Sequence, residues 1–201
     1  MKTKKIAEQS TFPHNPELMF REARDFTDTF RYLQGDPQVK YDASAFFCPV
    51  IVLMAYSLEI YLKCLATLAY GNQKGGRHDL QKLFNKIPSQ SKSRIKEIYA
   101  LELATHLDYF LAQKKKYERF GELPDPRDFD KILEVNKDAF ENLRYLYEND
   151  SWPKLEPELL SIVVFATQKH LSEMKPEWLQ PITWHSPDDV LAAESKSQST
   201  K

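Results

Sequence analysis

Glycine is scarce in this chain, with five residues among 201, whereas ordinary chains hold about 7%. This scarcity excludes collagen-like repeats and Gly-rich linkers, and it argues against an all-β sandwich built on many tight turns. Proline, at 12 residues, is close to its usual share. With 42% hydrophobic and 28% charged residues, the composition is that of a globular protein long enough to form one sizeable core.

Strand-like alternation is also missing over any useful length. Proline interrupts a helix and glycine weakens it, so stretches free of both are candidate helices. Five such stretches stand out: 17–34, 50–70, 89–120, 127–152 and 158–175.

Apolar residues recur every three or four positions in most of these stretches, which predicts amphipathic helices. The stretch 89–120 is less regular, so we expect a bend within it, and 80–87 predicts a two-turn helix ended by Pro88. The prediction is an all-α fold, an up-and-down bundle of about five main helices plus one short helix. The clearest stripe, in 17–34, is formed by Met19, Ala23, Phe26, Phe30 and Leu33.

The segment 46–70 is apolar on nearly every side, which raises the alternative of a transmembrane helix. Glu59 and Lys63 lie near its middle, and an ion pair is costly in lipid. Pro49 is expected in its first turn, where a missing backbone N–H is tolerated. We therefore predict no membrane span but the central helix of a bundle, buried on several sides or partly in a dimer interface.

The ends and the cysteines indicate a cytoplasmic protein. The basic N-terminus is not followed by an apolar run, so no secretory signal is expected. Cys48 and Cys64 are sixteen residues apart on one predicted helix, roughly 24 Å at about 1.5 Å per residue, too far for a disulfide. We expect one helical domain over 1–175 and a partly disordered C-terminal tail over 176–201, whose start Trp178, Leu179, Ile182 and Trp184 could hold to the body.

The net charge of −1 conceals an uneven distribution. Residues 63–119 hold twelve Lys or Arg against five Asp or Glu, a pattern compatible with an anionic partner, with a dimer contact or with solvated surfaces. The densest cluster is interleaved with Tyr117 and Phe120, as suits single-stranded nucleic acid, although lysines at a helix end also fit the helix dipole. The cluster comprises Lys114, Lys115, Lys116 and Arg119.

Two groups of polar residues are candidates for a site. Glu59 and Lys63 have the i,i+4 spacing of a helical ion pair, and inside so apolar a helix they indicate either a structural pair or a polar pocket. After Gly75 and Gly76, the residues Arg77, His78 and Asp79 open the short helix. Asp79 is a good N-cap, and free first-turn amides beside Arg77 and His78 could bind an anion.

Other kinds of site are excluded by spacing. The five histidines are scattered without an i,i+4 pair and no Cys-x-x-Cys is present, so we predict no metal site. Gly-x-Gly-x-x-Gly, Walker-type loops and nucleophile turns are missing as well, so we predict no cofactor and no assignable catalytic residue.

The runs YSLEIYLKCLATLAYG (56–71) and GGRHDLQKLFNKIP (75–88) resemble HEPN domains (higher eukaryotes and prokaryotes nucleotide-binding). Many members share Ser/Ala-x-Glu-x-x-x-Lys-x-Leu on a helix, then Gly-His-Asp-Leu-x-x-Leu-Phe. The resemblance covers a sixth of the chain. The matching positions are Ser57, Glu59, Lys63 and Leu65, followed by His78, Asp79, Leu80, Leu83 and Phe84.

The resemblance implies a helical bundle, commonly dimeric, found in toxin–antitoxin and phage-defence systems or beside nucleotidyltransferases. The ribonuclease branch of the family carries an Arg followed, after four to six residues, by a His. No arginine of this chain has a histidine at that spacing, so the resemblance implies a branch without the ribonuclease motif.

The main hypothesis is therefore a non-catalytic HEPN-like protein that forms a homodimer through its central helix and binds RNA, a nucleotide or a protein partner. One alternative is an RNase-like toxin using other residues, such as His78 with Lys63 or Arg77. Another is an interaction subunit for a neighbouring enzyme, for example one of nucleotidyltransferase type.

Overall fold

A computed structural model describes residues 15–35, 43–71, 78–117, 123–144 and 155–180 of the chain. These residues contain no strand, which confirms the prediction of an all-α helical bundle. They form α1 (Pro16–Gly35), α2 (Ala43–Tyr70), α3 (Leu80–Lys86), α4 (Ser89–Ala104), α5 (Leu107–Tyr117), α6 (Phe129–Val135), α7 (Ala139–Arg144), α8 (Pro157–Met174) and a 3₁₀ turn (Pro176–Leu179).

The apolar helix α2 forms the centre of the bundle. It contacts α1, α3, α7 and α8. By length and composition its part Cys48–Tyr70 could cross a membrane, but 72% of its most apolar window is buried inside this single chain. That burial favours a core helix over a membrane span. The helix begins earlier than predicted, at Ala43, so Pro49 lies inside it and not in its first turn.

Helix α1 runs antiparallel to α2. Of the predicted stripe, Ala23 and Phe30 are buried, whereas Met19, Phe26 and Leu33 are only partly buried. Phe26 contacts Tyr56 edge to face, with ring centroids 4.9 Å apart, and Phe20 contacts Tyr61 at 5.9 Å. The hydroxyls of Thr27 and Tyr61 lie 3.2 Å apart and share a buried hydrogen bond. Burial raises the pKa of the Tyr61 phenol far above its usual value, so the hydroxyl stays protonated.

The stretch 89–120 bends as predicted, because α4 ends at Ala104 and α5 begins at Leu107. Within residues 127–144, the described part of a stretch expected as one helix, the chain instead forms two helices, α6 and α7. Between them the buried Asn136 donates to the carbonyl of Ile132 at 2.8 Å and accepts from the backbone N–H of Glu156 at 3.1 Å. The turn at Asn136 therefore interrupts the helix and ties it by a hydrogen bond to the start of α8.

The body of the fold extends past residue 175, where the tail was expected to begin. In the 3₁₀ turn Trp178 is buried against Phe20, with ring centroids 5.7 Å apart. Arg21 adds a hydrogen bond of 2.8 Å to the carbonyl of Gln180. Leu179 is exposed, while Ile182 and Trp184 lie outside the described residues.

Both cysteines are free. Cys64 is buried, and its Sγ lies 3.2 Å from the carbonyl oxygen of Pro16. Burial raises the pKa of this thiol to about 12, which makes it unreactive at neutral pH. Cys48 is only half-buried.

Candidate functional site

Glu59 is a charged residue in the buried part of α2, and both of its carboxylate oxygens have partners. Lys63 Nζ donates to Oε1 at 2.6 Å, and His78 Nδ1 donates to Oε2 at 2.8 Å. The Glu59 side chain is 2% exposed, whereas those of Lys63 and His78 are 32% and 38% exposed. We call these three residues the Glu59 cluster. The buried Glu59 carboxylate is therefore hydrogen-bonded to two side chains, those of Lys63 and His78, that are partly exposed to solvent.

Two different elements bring the cluster together. Lys63 follows Glu59 by one helical turn, the favourable order for an i,i+4 pair. His78 comes from the segment before α3, and that segment is fixed just beyond it. Leu80 N–H donates to the carbonyl of Lys137 at 3.0 Å, and Asp79 caps α3. The histidine is therefore positioned by tertiary contacts and not by the α2 helix.

An aromatic wall supports the histidine ring. Phe140 of α7 lies 4.9 Å from the His78 ring and stacks on Tyr56 at 5.5 Å. The orientation of the imidazole is restrained, because Nδ1 is hydrogen-bonded to Glu59 and one face of the ring packs on Phe140. Neither Phe140 nor Tyr56 was predicted from the sequence as a site residue. The position of Tyr56, three residues before Glu59 and so on the same helix face, was a usable signal.

Tyr56 joins the Glu59 cluster to a second carboxylate. Its hydroxyl donates to Glu22 on α1, and its pKa is raised by burial first and then by the charges of Glu22 and Glu59. The phenol is therefore protonated and acts as a donor, not as a nucleophile. This side of the cluster is acidic, while the side of Lys63 and His78 offers donors.

Asp79 was grouped with the pocket but has a structural role. Its carboxylate accepts from the backbone N–H of Lys82 at 2.9 Å and pairs with the Lys82 ammonium at 2.9 Å. Burial alone would raise the pKa of Asp79, but the contacts with Lys82 outweigh burial and lower it. Two first-turn amides of α3, those of Leu80 and Lys82, thus have partners, and Arg77 lies outside the described residues together with Gly75 and Gly76.

The predicted basic cluster lies on another helix. Lys114, Lys115 and Lys116 occupy the last turn of α5, where they face the negative end of the helix dipole. Arg119 and Phe120 lie outside the described residues. Asp125 forms a bidentate contact with Arg127, and this contact lowers the pKa of Asp125. The charge of Lys114 contributes to the lowering, so this lysine lies near an acid.

The described residues contain no group of three or more His, Cys, Asp or Glu side chains that could hold a metal ion. Grooves also open elsewhere among the described residues. One, of about 460 Å³, is lined by Tyr99, Leu103 and Phe129. Two of its charged residues, Lys96 and Asp130, form an ion pair with each other, with an N–O distance of 2.6 Å. Another, of about 390 Å³, lies between the end of α1 and the starts of α5 and α8; we call it the Tyr109 groove.

Comparison with known proteins adds nothing to the HEPN resemblance, which rests on the motif residues in 56–71 and 75–88 alone. The chain matches no protein-family model, no curated protein and no solved structure.

Proposed function

We propose that this protein is a non-catalytic, HEPN-like helical module that self-associates and binds an anionic partner, RNA or a nucleotide, through Lys63 and His78. The observation that supports the proposal is the Glu59 cluster. A buried carboxylate with both oxygens occupied holds two donors at the surface, so neither needs to be ordered again when a ligand arrives. Such preorganisation reduces the entropy that binding costs.

The residues suit a phosphate group. An ammonium has three N–H donors, of which Glu59 takes one, and two are left for a ligand. The imidazole adds Nε2, the ring nitrogen that Glu59 does not hold, as a donor when the ring is protonated, whereas in the neutral ring Nε2 only accepts. Lysine is a common phosphate ligand, and contacts of this kind supply most of the affinity for nucleic acid of any sequence.

The family resemblance supports binding without catalysis. The Arg-x(4–6)-His ribonuclease motif is missing from the sequence, and the described residues offer no metal-ligand group in its place. A bundle of this kind without the catalytic pair can still present Lys63 and His78, two positions of the HEPN resemblance, to a ligand.

Fluorescence anisotropy with a labelled single-stranded RNA tests the proposal, with unlabelled nucleoside triphosphate as competitor. We expect the affinity to fall linearly on a log–log plot against salt. Lys63→Ala should raise the Kd about threefold to tenfold and make the salt slope shallower by about one. Lys86→Ala, an exposed lysine in the last turn of α3, is the matched control and should leave both unchanged. A wild-type protein that binds neither RNA nor nucleotide in a salt-sensitive way contradicts the proposal.

One observation favours the alternative of an RNase. A carboxylate that holds Nδ1 of a histidine fixes the tautomer with a basic Nε2, as a general base requires. Time-dependent cleavage of RNA by the wild type, lost in His78→Ala but not in the exposed His106→Ala, would establish this alternative. Intact RNA after prolonged incubation at saturating protein would exclude it for the sequences tested.

A further inference from the structure

Helix α5 presents a continuous exposed face whose two ends differ in charge. Asp108 and Tyr109 lie in its first turn, Ala112 in the middle, and Lys115 and Lys116 in its last turn, all with exposed side chains. The spacing of three to four residues places them on one side of the helix. On this face the first turn carries one acid and one aromatic ring, the last turn carries lysines, and the side chain at the centre is the methyl group of Ala112.

The Tyr109 groove extends this face and is acidic. Glu102 and Glu158 both line it, and the Tyr109 hydroxyl donates to Glu158 at 3.2 Å. Two basic side chains, Arg31 and His106, also line the groove, and the Arg31 guanidinium lies 3.8 Å from the carboxylate of Asp28. Phe110 and Phe165 form apolar walls, and Tyr109 remains 48% exposed beside them. The groove suits a cationic side chain with an apolar stem.

We propose that the partner of this surface is a second copy of the same chain, with α5 packed antiparallel against α5 of the other protomer. A two-fold axis at Ala112 places Asp108 opposite Lys116 of the partner subunit. The same axis places Tyr109, with Glu158 behind it, opposite Lys115 of the partner subunit. Because the contact is isologous, each pair forms twice.

Three physical terms act in the same direction in this arrangement. Opposite charges meet at both ends, and the antiparallel helix dipoles add to their attraction. The lysine stem packs on the exposed Tyr109 ring, where a cation–π contact adds to the ion pair with Glu158. Ala112 lets the two backbones approach closely. A nucleic acid on the same face would instead meet the carboxylates of Glu102 and Glu158, which repel phosphate.

Size sets how far the contact must reach. Eleven residues of α5 span only about 16 Å, which is too little for a stable interface of about 800 Å² on each partner. The contact must therefore include the Tyr109 groove and the end of α1, from which Arg31 and Gln34 line the groove. The part of the central helix α2 whose side chains are described, Cys48–Tyr70, offers no comparable surface, since most of it is buried within one chain.

This inference rests on the proposed self-association and assigns it a surface, and it is tested on the full chain without RNA. Light scattering after gel filtration should give twice the chain mass of 23.5 kDa at micromolar concentration. Lys115→Glu and Glu158→Lys, each alone, should weaken dimerisation at least tenfold. The double variant Lys115→Glu/Glu158→Lys should restore it, because the reversed charges meet again across the two-fold axis.

Lys86→Glu is the matched control for charge, and Ala112→Arg blocks the axis by volume. Circular dichroism confirms that each variant is folded. A monomeric wild type, or a dimer unaffected by both Lys115→Glu and Ala112→Arg, would overturn the inference. So would RNA binding that Lys115→Glu weakens in a protein already shown to be monomeric. RNA affinity measured separately on Lys63→Ala keeps a failure of the anion site distinct from a failure of the dimer surface.

Discussion

Glu59 holds a charge inside the bundle, where an unpaired carboxylate would be strongly unfavourable. Its two partners, Lys63 and His78, remain about one-third exposed and keep part of their hydration. The cluster therefore confines the desolvation cost to the acid and leaves the donors able to bind a ligand. Its structural and its binding roles rest on the same contacts, so a variant of Glu59 should affect both.

Glu59→Ala removes the acceptor for two donors and leaves space beside α2. We expect the free energy of unfolding to fall by about 2 kcal/mol, less than for a fully buried pair, because the freed donors can still be hydrated. Urea denaturation measures this value. Glu134→Ala, which removes an exposed acid 2.8 Å from Lys131, is the matched control and should change stability little. Equal effects of the two variants would contradict the buried role of Glu59.

The pair Glu59–Lys63 was predictable from its spacing, because one helix suffices to bring the two together. His78, the third residue of the Glu59 cluster, was predictable only as a motif residue nearby in sequence. His78 reaches Glu59 because Leu80 bonds to Lys137 and Phe140 stacks on the imidazole ring, and neither contact has a local sequence signal. Asp79, next to His78, instead caps α3 through the backbone N–H of Lys82, a contact within three residues that the sequence predicted.

At the scale of elements, the contact between α4 and α8 contains a buried histidine. His170 of α8 is 7% exposed, and its Nε2 has no hydrogen-bond partner. Beside it Arg94 of α4 forms a bidentate contact with Glu173, with N–O distances of 2.9 and 3.0 Å. Burial, assisted by Arg94 and opposed by Glu173, lowers the pKa of His170 below its usual 6.5.

This contact should weaken in mild acid. Below pH 6.5 the unfolded chain binds a proton at His170 that the folded chain does not, so the free energy of unfolding falls as pH decreases through this range. Urea denaturation at several pH values between about 7.5 and 5.5 measures the slope. His170→Leu should make the slope shallower, whereas the exposed His106→Gln should not. An unchanged slope in His170→Leu would assign the acid sensitivity to another group.

Element boundaries were predictable where the backbone itself imposes them. Pro88 ends the short helix, and the irregular spacing in 89–120 marks the break at Thr105 and His106. The break between α6 and α7 was not predictable, because Asn136 is compatible with a helix interior. It becomes a turn residue because its side chain bonds to Glu156, twenty residues away.

At the scale of the whole molecule, the bundle is closed by the residues after α8. Trp178 covers Phe20 of α1, so the end of the described chain contributes to the first helix pair. Closure of this kind joins sequence-distant elements into one cooperative unit. The boundary between body and tail therefore has a measurable effect on stability.

Trp178→Ala should lower the free energy of unfolding by about 3 kcal/mol, because a large aromatic side chain is lost from a packed position. A chain ending at residue 175 should be destabilised to a similar degree, and one ending at 180 should retain most of the wild-type stability. Thermal unfolding followed by circular dichroism compares them. Leu179→Ala, at an exposed neighbouring position, is the control. A fully stable chain ending at 175 would show that Trp178 does not contribute to the body.

Scarce glycine, well-placed prolines and apolar periodicity determined by themselves that the chain is an all-α bundle around the helix of residues 46–70. They could do so because backbone geometry and the burial of apolar stripes are local or nearly local effects. Only the tertiary structure decided that His78 completes the Glu59 cluster, that Asn136 divides a helix and that Trp178 closes the bundle. Each of these depends on a contact between residues far apart in sequence, and the free energy of such a contact is set by the packing of the whole fold.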